Sequence, residues 1–218
     1  MDTLEYLGKR FAVDISKQIV EITDVNRIIM AQVLGELGFK VGAEVGVAEG
    51  IHAKVLLDNI PGLRLHLIDA YKHYPGYQEY DGLDKVKEEM IGRMIKSNVV
   101  IHQKLSMDAV SYFENDSLDF VYIDGAHDFK NVANDLCEWS KKVRIGGIVF
   151  GHDYKQHGPF VDRGHIRHQV DVKDVVRAFC HAKNAYPLFE LNNAKRDEIF
   201  GRDNPGWLFV RRERNWIW

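Results

Sequence analysis

The chain has 218 residues, enough for one large domain with a well-buried core. Apolar residues make up 45% and charged residues 28%, the balance of a globular protein, and the formal net charge of −3 gives no general attraction to nucleic acid. No stretch approaches the roughly 18 uncharged apolar residues of a membrane span, and the charged start MDTLEYLGKRFAVDI lacks the apolar segment of a secretory leader, so a cytoplasmic location is expected. The two cysteines, Cys137 and Cys180, both in helix-like contexts, read as reduced core thiols.

The first forty residues read as a helical extension. In NRIIMAQVLGELGF, the residues Ile28, Ile29, Val33, Leu34 and Leu37 share one helical stripe, and Gly38 follows the helix end. From Val41 the pattern changes to short apolar strands alternating with amphipathic helices. The strands are VGAEVGVA, LRLHLIDAY, VVIHQ, LDFVYID and GGIVFGHDY, the last introduced by Gly146 and Gly147. The helices between them are HAKVLLDN, DKVKEEMIGRMIKS, MDAVSYFE and FKNVANDLCEWSKKV. This order predicts a Rossmann-like, doubly wound sheet of seven strands over residues 41–218, mostly parallel, with helices on both faces. After the helix DVVRAFCHAKN, the strands PLFELNN and PGWLFVRRE follow without a full helix between them. They predict an antiparallel pair at one sheet edge.

Loops at the carboxyl ends of parallel strands carry the ligand sites of such sheets. The first is EVGVAEG, with Glu44, Gly46, Val47 and Gly50. Its spacing fails the dinucleotide fingerprint G-x-G-x-x-G and the phosphate loop G-x-x-x-x-G-K-[ST]. What stands there is acid-x-G-x-x-x-G, with Asp69 ending the next strand. This arrangement resembles motif I of class I S-adenosylmethionine-dependent methyltransferases. That cofactor is a cation without phosphate, which suits an acid at Glu44, while Asp69 is placed to accept the ribose hydroxyls. In the methyltransferase pattern an acid after the third strand lies near the adenine amine. Asp108, beside Ser106 and Met107, matches it, and Ser106 or Asp108 could equally cap a helix.

Two further strand ends pair acid with imidazole: YIDGAHDF (Asp124, His127) and IVFGHDY (His152, Asp153). The run from Tyr122 to Tyr154 resembles the later half of a broad bacterial methyltransferase family with IDG-x-H and GHDY motifs, distantly related to macrocin-type O-methyltransferases and cephalosporin-hydroxylase-type enzymes. The resemblance covers residues 41–154 well, the tail weakly and the first forty residues hardly at all. It implies a class I methyltransferase acting on a small molecule, at oxygen, with S-adenosylmethionine at Glu44, Gly46, Val47, Gly50, Asp69, Ser106, Met107, Asp108 and Asp124. Acids at these strand ends hold magnesium in several related enzymes. Carried over, Asp124 and Asp153 are the metal candidates, with His152 where a further acid often stands; its imidazole leaves room for manganese, iron or zinc, and equally for no metal at all. Where some relatives carry a basic-role acid two positions after the first, this chain has Ala126. His127 is then the natural general base, with Asp124 beside it.

Five of the ten histidines, among them His157, His165 and His168, fall in or near the loop Lys155–Val170. It reads either as a solvated loop or as a lid on an acidic substrate. The terminal Trp216 and Trp218 suit docking on the core or on a second subunit of a homodimer. The expected partner is a small-molecule methyl acceptor, with neither nucleic acid nor membrane. An NAD(P)-dependent oxidoreductase and a non-catalytic ligand-binding domain on the same fold are the competing readings.

Overall fold

The computed structural model describes residues 2–73, 82–158, 160–162, 165–167, 169–192 and 196–212. An eight-stranded sheet runs through the molecule in the order β1-β9-β12-β6-β5-β2-β3-β4. Its strands are β1 (Ile19–Thr23), β2 (Val41–Val45), β3 (Arg64–Ile68), β4 (Val99–His102), β5 (Leu118–Ile123), β6 (Val143–Gly151), β9 (Leu188–Asn192) and β12 (Gly206–Val210). Two small hairpins, β7 (Phe160–Asp162) with β8 (His165–Arg167) and β10 (Arg196–Asp197) with β11 (Gly201–Arg202), lie outside it. The helices are α1 (Thr3–Phe11), α2 (Arg27–Glu36), α3 (Ile51–Asn59), α4 (Leu83–Met94), α5 (Ser106–Ala109), α6 (Phe129–Lys142) and α7 (Val172–Lys183). None of the described helices is long and apolar enough to cross a membrane.

The sheet has eight strands where the sequence predicted seven. The added strand is β1, inside the segment read as helical. It pairs in parallel with β9, so β9 is not an edge. Its sequence IVEIT buries only Val20 and Ile22 in strict alternation, a weak signal between two helical patterns. The expected antiparallel pair is present: β12 runs against both β9 and β6, while all other neighbours in the sheet are parallel.

Alternation along the central strands builds two cores. On β5, Phe120 and Tyr122 face α2 and α3, whereas Val121 and Ile123 face α6 and α7. β6 and β12 alternate likewise: Ile148, Phe150 and Leu208 on one side; Val149, Trp207 and Phe209 on the other. Strands buried on both faces need continuous apolar runs, which is why these were visible in the sequence. The two cysteines are free, Cys180 buried and Cys137 half-buried.

The chain lays β2, β3 and β4 outward, then returns to place β5 on the other side of β2. The loops after β2 and β5 therefore diverge from a topological switch point, where open α/β sheets bind ligands.

Candidate active site

The glycine loop leaves β2 at Gly46, whose φ of +85° lies in the left-handed region. A Cβ there would stand 2.1 Å from the carbonyl oxygen of Asp124, so the loops after β2 and β5 touch backbone to backbone. Gly50, at φ +76°, starts α3. Asp69, just past β3, straps this loop down. Its Oδ2 accepts from the amides of Val47 (3.0 Å) and Ala48 (3.1 Å), and its Oδ1 from Tyr71 (2.9 Å). Three of about four acceptor positions are thus engaged. Glu44 is buried beneath the loop, 3.5 Å from His52 Nδ1, and its Oε2 has no hydrogen-bond partner among the described residues. Burial raises its pKa.

Ser106, at the start of α5, spends its hydroxyl on the protein: it donates to Asp135 and accepts from Trp139 Nε1 at 2.8 Å. Met107 packs on the α6–α7 core. Asp108 is exposed, and neither it nor Ser106 caps α5.

The acid and imidazole groups meet at the ends of the adjacent strands β5 and β6. His127 Nε2 lies 3.4 Å from Asp124 Oδ1 and 3.5 Å from Asp153 Oδ2. His152 Nδ1 lies 3.4 Å from Asp153 Oδ2 and 3.8 Å from Asp124 Oδ2. Asp153 takes a left-handed φ of +48°, and one of its carboxylate oxygens lies within 4.8 Å of a donor atom of Asp124 and of His152. Tyr154 leaves the site, its hydroxyl donating to Glu190. Asp171 holds the loop of His127: its amide donates to the His127 carbonyl and its carboxylate accepts from the Phe129 amide.

Burial alone would lower the His152 pKa, but the carboxylates of Asp124, Asp153 and Asp203 overcome it and lift it to about 10. Burial opposes ionisation of Asp124 and Asp153 as well; His152 and His127 outweigh it and hold both carboxyls below the usual range.

Four participants, Asp203, Arg27, Asn204 and Tyr122, were not read as site residues from the sequence. Asp203 bonds His152 Nε2 at 2.9 Å and is paired with Arg27. Asn204 donates to Asp153 Oδ1 at 2.5 Å. The Tyr122 hydroxyl donates to Asp124 Oδ2 at 3.1 Å. In the sequence, DNPG (203–206) reads only as a turn, and Arg27 as a helix-start cation. A small cleft, partly open to solvent, adjoins this cluster between Arg27, Met30, Phe150, His152, Leu191 and Asp203. Of the histidine-rich loop, the side chains of 159–168 lie outside the described residues, as do 74–81 of the other long loop and the tail with Trp216 and Trp218.

No curated protein matches the sequence. Solved structures share the fold at low identity. An O-methyltransferase from Bacillus cereus in complex with S-adenosylhomocysteine is 18% identical over 97% of this chain and 91% of that one, with a TM-score of 0.58. The O-methyltransferase TomG from Streptomyces achromogenes, in complex with S-adenosylmethionine, is 15% identical over 97% and 90%, TM-score 0.57. The 1,6-didemethyltoxoflavin-N1-methyltransferase of Burkholderia thailandensis is 11% identical over 86% and 79%, TM-score 0.54. The sequence pattern of the methyltransferase-domain family matches residues 43–154, from the strand before the glycine loop to the end of GHDY. With a switch-point site on an open α/β sheet and half of its length inside that pattern, the chain belongs to the methyltransferase-domain family and has the class I S-adenosylmethionine-dependent fold.

Proposed function

We propose that this S-adenosylmethionine-dependent methyltransferase methylates a hydroxyl oxygen of a small molecule in the cytoplasm. The observation that carries this reading is the meeting of Asp124, His127 and Asp153 at the ends of β5 and β6, beside the glycine loop. The donor is assigned to Glu44, Gly46, Val47, Gly50, Asp69, Ser106, Met107, Asp108 and Asp124. Ribose would share Asp69 with the loop amides, and Ser106 would act through its place in the wall, since its hydroxyl is engaged.

Methyl transfer from a sulfonium is an in-line displacement, so most of the catalysis is positioning. The remaining task is to remove the acceptor proton. His127 is assigned this role: the two carboxylates within 3.5 Å of its Nε2 orient the ring and stabilise the imidazolium that forms when it takes the proton. The donor set also fits a divalent ion. Asp124, His152 and Asp153 each turn one donor atom inward, all within 4.8 Å of one another. Asp203 and Asn204 hold the outward atoms of His152 and Asp153, and Tyr122 donates to Asp124 Oδ2, the outer support that metal ligands need. An imidazole among two carboxylates suits manganese, iron or zinc as well as magnesium. Bound there, the ion would polarise the acceptor oxygen.

Calorimetric titration with S-adenosylhomocysteine tests the donor assignment; no binding at millimolar ligand would sink it. A methyl-labelled donor offered with a panel of phenols and alcohols tests the rest. His127→Ala should lower kcat by about 10²–10⁴-fold at near-constant donor affinity. An unchanged kcat would remove His127 from the role of base.

A further inference from the structure

Asp203 stands in the turn before β12, fifty-one positions after His152, yet its side chain is only 3% exposed and lies against the site. Its Oδ1 is 2.9 Å from His152 Nε2 and 2.7 Å from Arg27 Nη2; its Oδ2 is 3.1 Å from Arg27 Nε. An ionised carboxylate only accepts, so the ring nitrogen facing it must carry a proton. That keeps a proton on His152 Nε2 and turns Nδ1 toward Asp124 and Asp153. The bidentate guanidinium in turn fixes the carboxylate, since two parallel N–H···O bonds leave it no rotation. Arg27 is itself held, with its guanidinium 3.7 Å from the centre of the Phe200 ring.

A buried ion pair is weak support for stability, because desolvation offsets most of the attraction. The placement of this one has a simpler reason. The structure assigns Asp203, backed by Arg27, as a positioning residue that presents Nδ1 of His152 to the acid pair Asp124 and Asp153. The site then reaches beyond the residues 43–154 that carry the family pattern, to α2 and to the C-terminal turn. This inference rests on the reading of Asp124, His152 and Asp153 as a donor set for a divalent ion. A carboxylate behind a ligating histidine fixes its tautomer and raises its basicity, and its loss weakens ion binding by about 10–100-fold.

Manganese(II) is the probe, titrated into the full-length protein by calorimetry and by electron paramagnetic resonance. Asp203→Asn should weaken its binding by about 10–100-fold. Because that substitution leaves Arg27 buried without its charge partner, the double variant Arg27→Gln with Asp203→Asn is measured alongside. It removes both charges and keeps both volumes close. Both proteins should bind S-adenosylhomocysteine within two-fold of wild type, which reports an intact fold. A double variant that recovers wild-type manganese affinity would reduce the pair to a structural one and overturn the proposal. Nitrogen-15 imidazole spectra give a second readout that needs no metal, with the His152 signal identified by its loss in His152→Asn. Wild type should show an Nε2 proton held in a strong hydrogen bond, and Asp203→Asn should lose that signature. If wild type binds no manganese, the metal reading falls and the ring spectra decide; an unchanged His152 spectrum in Asp203→Asn then overturns the positioning role.

Discussion

Asp135 lies on the second turn of α6 with its carboxyl buried, accepting from the Ser106 hydroxyl. Burial pushes its pKa up to about 7, against the weaker downward pull of that hydrogen bond. An unfolded chain would ionise this acid near pH 4. Between those values the folded state holds a proton that the unfolded state has lost. Stability therefore falls as pH rises from about 4 to about 7, and the penalty stays constant above that. Asp135→Asn keeps the shape and the acceptor for Ser106 but removes the buried charge. Relative to wild type it should gain about 2–3 kcal/mol between pH 5 and pH 8, read by urea unfolding at the two values. An equal difference at both would mean that the carboxyl ionises freely. At this scale the sequence exposed those residues whose neighbours reveal them. Asp124, His127, His152 and Asp153 each follow an apolar run at a strand end. Asp203 and Arg27 do not, because nothing local distinguishes them from a turn acid and a helix-start cation. Their role exists only once β12 has paired with β6 and α2 has docked.

The glycine loop gives the same contrast among short segments. Gly38 and Gly46 both adopt left-handed φ, +75° and +85°. Only Gly46 meets backbone; nothing lies within 4 Å of a Cβ built on Gly38. Gly38→Ala should therefore cost about 1–2 kcal/mol, the conformational strain alone. Gly46→Ala must also push apart the loops after β2 and β5, to which the donor is assigned. It should destabilise the protein by several kcal/mol more than the first variant, and abolish binding of S-adenosylhomocysteine. If Gly46→Ala binds that ligand normally, the contact between these loops is not what shapes the site. The elements β2 to β6 and their helices were legible because period-2 and period-3.6 patterns alternate cleanly there. β1 was not, since two buried side chains in IVEIT cannot outweigh flanking helical patterns, and its partner β9 lies more than 160 residues away.

At the scale of the molecule, the site draws on residues spread across most of the chain: Arg27 on α2, the loop after β2, the ends of β5 and β6, and Asp203 before β12. The N-terminal segment contributes twice, through Arg27 and through β1, which extends the main sheet beyond β9. Thr3 adds a tie at the far end of β6, donating to the Gly146 carbonyl at 2.6 Å. Bonds of this kind bind residues 2–40 into the sheet's own cooperative unit. Thermal unfolding should then be a single transition, and a ligand of the native state should move all of it. S-adenosylhomocysteine at 100 times its Kd stabilises by about 2.7 kcal/mol, which for a chain of this size raises Tm by about 5–10 °C. Scanning calorimetry with and without the ligand reads this directly. Two transitions, of which only the upper one moves with ligand, would mean that the N-terminal forty residues fold apart from the methyltransferase domain. A single transition that shifts as a whole would tie β1 and α2 to the same folding event that assembles the site, which is the condition under which Arg27 can serve it.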